Sequence, residues 1–179
     1  MARDYGRMTS AGPTYQVRRA VEADLRAVLE VLAQNEAVVP EHLPLAPAPP
    51  SDLQHTTWEG VTDTDGLTIY LAVNVLGDDG HAGGREEPVG TAAMLLMPHL
   101  TYDCRPSAFI EAVVVAYAHR RCGLGRLMVQ RALDDARAAS CRKVQLLSHK
   151  RHTDDGAHQL YRSLGFISEA EGFHLYLGP

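Results

Sequence analysis

The sequence predicts an α/β fold, a sheet with helices packed on it. Three observations carry that reading. Segments with strand-like alternation or continuous apolar content interleave with segments whose apolar residues recur every three or four positions. One long apolar run, residues 108–115, leads into a glycine-containing turn and then a helical pattern. The length of 179 residues fits one domain with a full core.

The elements follow in order. Residues 1–13 are polar and end in Ala11-Gly12-Pro13, a composition that cannot pack, so the expectation is a disordered leader and a single domain over 14–179. Tyr15 to Arg19 alternates like a strand, and Leu25, Val28, Leu29 and Leu32 then mark one helical face. Pro40, Pro44, Pro47, Pro49 and Pro50 force an extended loop, after which a short helix begins near Ser51. Residues 67–73 and 89–97 are β-prone and separated by a Gly- and acid-rich stretch, which reads as a hairpin with a long tip. Residues 108–115 form a central strand interrupted by one carboxylate, Glu111. A helix follows the glycine turn to about Ser140, and 144–148 is the next strand. Ala157, Leu160, Tyr161 and Leu164 share a helical stripe that Gly165 ends with a left-handed cap. Residues 166–168 and 173–177 are expected to close the sheet as a hairpin.

Composition removes several function classes. Lys+Arg is 17 against Asp+Glu 22, a formal net charge of -5, which argues against nucleic-acid binding through a broad basic surface. Cys104, Cys122 and Cys141 are odd in number and form no C-x-x-C pair, so neither a disulfide framework nor a zinc site is suggested. No apolar run approaches the ~20 residues that cross a bilayer, and the N-terminus has no apolar signal core. A cytoplasmic protein without a membrane partner is expected.

The turn after Val115 carries the chemistry. Gly123 and Gly125 stand where strand becomes helix, so several N–H groups can converge with the helix dipole behind them, an arrangement that binds phosphate oxygens. Arg120, Arg121 and Arg126 add positive charge and forked donors. The same glycines also fit a tight turn without a ligand. A Gly-Lys-Ser/Thr ending is absent, which excludes a P-loop, and the missing third glycine excludes a dinucleotide fingerprint.

The order Ile110-Glu111-Ala112-Val113-Val114-Val115, then Arg120-x-x-Gly123-x-Gly125, then Ala157-x-x-Leu160-Tyr161-x-x-x-Gly165-Phe166 resembles the GNAT superfamily of acyl-CoA-dependent N-acyltransferases. The resemblance extends from about Tyr15 to the C-terminus. It implies a mixed, mostly antiparallel, splayed sheet flanked by helices, whose V-shaped opening admits the pantetheine arm of acetyl-CoA. It implies further that the backbone of Val113, Val114 and Val115 meets that arm. The pyrophosphate would lie on the loop of Arg120, Arg121, Cys122, Gly123, Leu124, Gly125 and Arg126. In similar enzymes a glutamate at Glu111 takes the ammonium proton, often through water, and a tyrosine at Tyr161 protonates the departing thiolate.

Each role has a plain structural counterpart. A carboxylate in an apolar strand is expected to be buried, and Glu111 could equally be hydrogen-bonded to a neighbouring loop. Tyr161 could be a core aromatic with its hydroxyl at the surface. Cys122 reads as packing, and Trp58 and Tyr70 as either acceptor-pocket or core residues. His149-x-x-His152 beside Asp154 and Asp155 could suggest metal ligands, but polar-loop histidines are usually solvated, so no metal is expected.

Three positions depart from the family pattern. Tyr117 stands where proline is frequent, Arg121 where glycine is frequent and can keep a helical conformation, and Asp154 where an asparagine often contacts the cofactor. The acceptor is expected to be a small primary amine, loosely as in aminoalkylphosphonate and amino-sugar acetyltransferases. Acidic Glu36, Glu41, Asp52, Glu59 and Asp103 are compatible with a cation. The alternatives are acetylation of a protein N-terminus or lysine, and a non-catalytic acyl-CoA-binding regulatory module. A homodimer rests on the resemblance alone.

Overall fold

A computed structural model describes residues 13–35, 48–76, 85–153 and 156–177. The expected leader, most of the proline-rich loop, the hairpin tip, Glu36, Glu41 and Asp154 lie outside the described residues.

Among the described residues five strands form one sheet in the order β1-β2-β3-β4-β5: β1 is Thr14–Arg19, β2 Leu67–Val75, β3 Glu86–Met97, β4 Ser107–Val115 and β5 Lys143–Leu146. The first three pairings are antiparallel, and β4 pairs β5 in parallel. The described residues also form four α-helices: α1 is Leu25–Leu32, α2 Asp52–Asp63, α3 Leu124–Ala138 and α4 Ala157–Ser163. No helix among the described residues is long and apolar enough to cross a membrane.

Alternation along the strands divides the core into two layers. Leu71 and Val73 of β2 pack with Leu25 and Val28 of α1 and Trp58 of α2. Tyr70 and Ala72, one residue out of phase, pack with Val89, Ala92 and Met94 of β3, Ile110 of β4 and Met128, Val129 and Ala132 of α3. Tyr70 and Trp58 are therefore core residues, fully buried and 7% exposed. The Tyr70 hydroxyl also donates to Asp135 at 2.9 Å, which ties β2 to α3.

Local chemistry sets the helix starts. Ser51 caps α2 by accepting the Gln54 N–H at 3.3 Å, and Gln54 Oε1 accepts the Ser51 N–H at 2.9 Å, a reciprocal capping box. Arg18 grips Asp24 with two bonds of 2.6 and 3.0 Å ahead of α1, holding that carboxyl below its usual range. Gly165 does end α4 in the left-handed conformation, with φ +91°.

The closing hairpin is a correction. Residues 166–177 form no strand, and Phe173, Leu175, Tyr176 and Leu177 are 85 to 91% exposed. Their alternation satisfies local β-propensity, but a strand also needs a ladder partner, and β5 offers an edge of four residues.

Candidate active site

The site begins where the sheet comes apart. β4 matches β5 from Ser107↔Lys143 to Ile110↔Leu146 and no further, although β4 continues to Val115. Glu111 to Val115 therefore run along an opening with no described strand beside them on the β5 side. On the opposite side, Ala93 faces Glu111 and Thr91 faces Val114, so Ala112 and Val113 share one partner position. This is a β-bulge, and Ala112 takes it up at φ +50°, a left-handed conformation that costs energy in a residue with a Cβ.

Exposure along β4 changes at the same point. Ser107, Ala108 and Ile110 are buried, but Glu111 and Ala112 are exposed, Val113 and Val115 half-buried, and Val114 buried. Glu111 is thus not the buried carboxylate that an apolar strand suggests. The splay removes the neighbour that would have covered it.

Beyond Val115 a turn over Tyr117–His119 leads to Arg121 at φ +65° and Gly123 at φ +84°. Arg121 is a correction to the helical conformation expected there: it sits in the left-handed region, where the steric cost falls on a residue other than glycine. Gly123 is the N-cap of the 15-residue α3, and no side chain caps it. The first N–H groups of α3, from Leu124, Gly125 and Arg126, have no intrahelical acceptor and concentrate the positive end of the dipole. A helix start of this kind favours a nearby anion.

The arginines expected on that anion have protein partners. Arg120 donates from Nε to the Val115 carbonyl at 3.1 Å and from Nη2 to the Gln34 carbonyl at 2.7 Å, while its guanidinium stacks 4.4 Å from the Tyr117 ring centroid. Arg126 donates to Ser163 Oγ of α4 at 2.6 Å. The Arg121 guanidinium lies against Gly156, where a Cβ would collide with it. These cations tie the end of α1 and the helix α4 to the loop and the start of α3.

Gly125 has a second function beside close backbone approach. A Cβ there would stand 3.1 Å from Leu160 Cδ2, so its absence lets α4 settle against the start of α3. α4 carries Tyr161, half-buried with its ring edge-on to Phe166 at 6.0 Å and packed against the larger core cluster. Cys122 is exposed, which corrects the packing role, and its thiol leans on the Arg120 carbonyl at 3.6 Å.

Residues that no motif marks complete the surroundings. Tyr15 Oη and His119 Nδ1 share a hydrogen bond of 3.0 Å, and His119 Nε2 is 3.6 Å from Glu87 Oε1, joining β1 and β3 to the loop. Burial pushes the Tyr15 phenol up, with the Cys122 thiol beside it acting the same way. Gln34, Tyr15 and Glu87 reach the loop from distant sequence, and only the topology reveals them. His149 Nδ1 accepts the Arg151 N–H and His152 Nε2 accepts Arg151 Nε, so both histidines serve their own loop. No group of three metal-ligating side chains occurs among the described residues.

Comparisons with known proteins give the family and the fold. Residues 32–166 match the model of the Acetyltransferase (GNAT) family. A solved putative acetyltransferase from Agrobacterium tumefaciens is 32% identical, with a TM-score of 0.70 over 90% of this chain and 99% of that one. An acetyltransferase from Trypanosoma brucei is 26% identical, with a TM-score of 0.68 over 92% and 100%. Glucosamine-6-phosphate N-acetyltransferase from Arabidopsis thaliana shares the fold at 18% identity, with a TM-score of 0.67 over 92% and 99%.

The contact of Gly125 with α4 is open to test. Gly125→Val should lower the melting temperature by several degrees, because a β-branched side chain overpacks against Leu160. Adding Leu160→Ala should recover part of that loss in thermal denaturation. A double variant no more stable than the single one would show that Leu160 is not what the new side chain meets.

Proposed function

The chain belongs to the GNAT acetyltransferase family and is an acyltransferase; we propose that it moves the acetyl group of acetyl-CoA to a small primary amine by direct attack in a ternary complex. The observation that carries this reading is the union of two features on one strand. β4 opens beside its bulge from Glu111 to Val115 and ends at an uncapped helix N-terminus. A pantetheine amide chain needs unpaired backbone partners, and a pyrophosphate needs converging N–H groups. Val114 is turned toward Thr91 of β3, so Val113 and Val115 serve the first need, and the amides from Cys122 to Arg126 serve the second.

The reaction requires little from the protein beyond placement and two proton transfers. A protonated amine has no lone pair, so Glu111, exposed at the opening, takes its proton through water. The amine nitrogen then attacks the thioester carbon, the C–N bond forms, and collapse of the tetrahedral intermediate breaks the C–S bond. Tyr161 donates its phenolic proton to the departing CoA thiolate, the second proton lost by the amine nitrogen returns through water to the phenolate, and Glu111 releases the first to solvent. Convergent amides hold the cofactor so that attack is effectively intramolecular. The small-amine acceptor is supported by the fold shared with glucosamine-6-phosphate N-acetyltransferase, an enzyme named for an amino sugar.

An amine panel with thiol-release detection, spanning amino sugars, aminophosphonates, polyamines, amino acids and aminoglycosides, tests the reading. At least one small amine should release CoA well above the rate without acceptor; turnover confined to peptide amines would contradict it. With that amine, Tyr161→Phe should reduce kcat by about 10²-fold or more with little change in CoA affinity. Glu111→Gln should show a loss that shrinks as pH rises and the amine deprotonates unaided. Unchanged kcat in Tyr161→Phe, or a pH-independent loss in Glu111→Gln, would remove that residue from the proton transfers.

A further inference from the structure

Gln34 lies two residues beyond the end of α1, outside every motif, yet it holds the phosphate loop at two points. Its side-chain Oε1 accepts the Tyr117 N–H at 2.9 Å, and its backbone carbonyl accepts Arg120 Nη2 at 2.7 Å. The other end of the same amide is also engaged, Nε2 donating to the Glu30 carbonyl at 3.3 Å, which fixes the oxygen toward Tyr117. α1 is a firm post for this contact, since Leu25, Val28 and Val31 are each 5% exposed or less.

Tyr117 opens the turn that leads through Arg121 to Gly123. The direction of that turn sets where the amides of Cys122 to Arg126 point, and an anion cradle works only if they converge. Arg120 braces the same turn by bridging the Val115 and Gln34 carbonyls across the Tyr117 ring. Tyr117 is only 9% exposed, so its N–H has poor access to water as a substitute acceptor.

We propose that Gln34 is a positioning residue for the acyl-CoA cradle: its side-chain oxygen sets the turn that aims the pyrophosphate amides, and its loss weakens cofactor binding without touching the chemical step. The proposal rests on the acetyl-CoA reading above. It separates the two ends of one side chain, because the oxygen serves the loop and the nitrogen serves only the end of α1. The Tyr117 ring and the Arg120 stack remain in place when that side chain changes, so the turn shifts but the fold persists.

The test compares wild type, Gln34→Met and Gln34→Glu by CoA titration calorimetry, by KM and kcat for acetyl-CoA, and by melting temperature without ligand. Gln34→Met removes both bonds and should weaken CoA binding about tenfold with kcat within about twofold. Gln34→Glu keeps an acceptor for Tyr117 and gives up the bond to Glu30, so CoA binding should stay within about threefold even where its melting temperature falls as far as that of Gln34→Met. Wild-type affinity in Gln34→Met would overturn the proposal. So would equal weakening in both variants that tracks their loss of melting temperature. Absence of CoA binding by wild type is a separate result and overturns the acetyl-CoA reading itself.

Discussion

The ladder between β4 and β5 stops at Ile110, and most of what makes this chain a candidate enzyme follows from that stop. A strand paired on both sides has no backbone groups to offer a ligand. By parting from β5 while staying paired to β3, β4 remains anchored in the sheet and still exposes one edge from Glu111 to Val115. The bulge at Ala112 belongs to the same device, since the extra residue turns the strand locally and places Glu111 and Ala112 at the exposed lip. The strain at φ +50° persists because β3 on one side and the core on the other determine the path of β4.

The loop from Tyr117 to Gly123 depends on the same strand for its position and on its neighbours for its shape. Its arginines look like ligands for an anion, but Arg120 and Arg126 spend their short hydrogen bonds on carbonyls and a hydroxyl of the protein. Guanidinium groups serve well in such roles because their donors are fixed in a fork and always charged. The field they contribute still favours an anion nearby, as do the amides at the start of α3 that have no intrahelical acceptor. Glycine divides its work in the same way. Gly123 supplies a left-handed N-cap, and Gly125 makes room for Leu160 of α4.

Much of this was legible in residue order. Apolar period placed α1, α3 and α4 and the strands before them, because burial against a sheet demands that period. Gly165 marked the end of α4, and Glu111 and the glycines marked the strand and turn of the site. What sequence could not show depends on distant partners. The exposure of Glu111 follows from a sheet splay, not from its apolar neighbours. The role of Arg120 depends on a carbonyl 86 residues away, and Gln34 reaches Tyr117 across 83. The C-terminal alternation after Gly165 met the local requirement of a strand and lacked a described ladder partner, which is a tertiary condition.

The central claim is that one cofactor spans the opened edge of β4 and the amides at the start of α3. Hydrogen exchange of individual amides with and without saturating CoA tests it most directly. The account predicts slowed exchange at Val113, Val115 and residues 122–126, with little change at the N–H groups of α2. CoA binding that leaves both of these segments unprotected, and protects amides elsewhere, would contradict it.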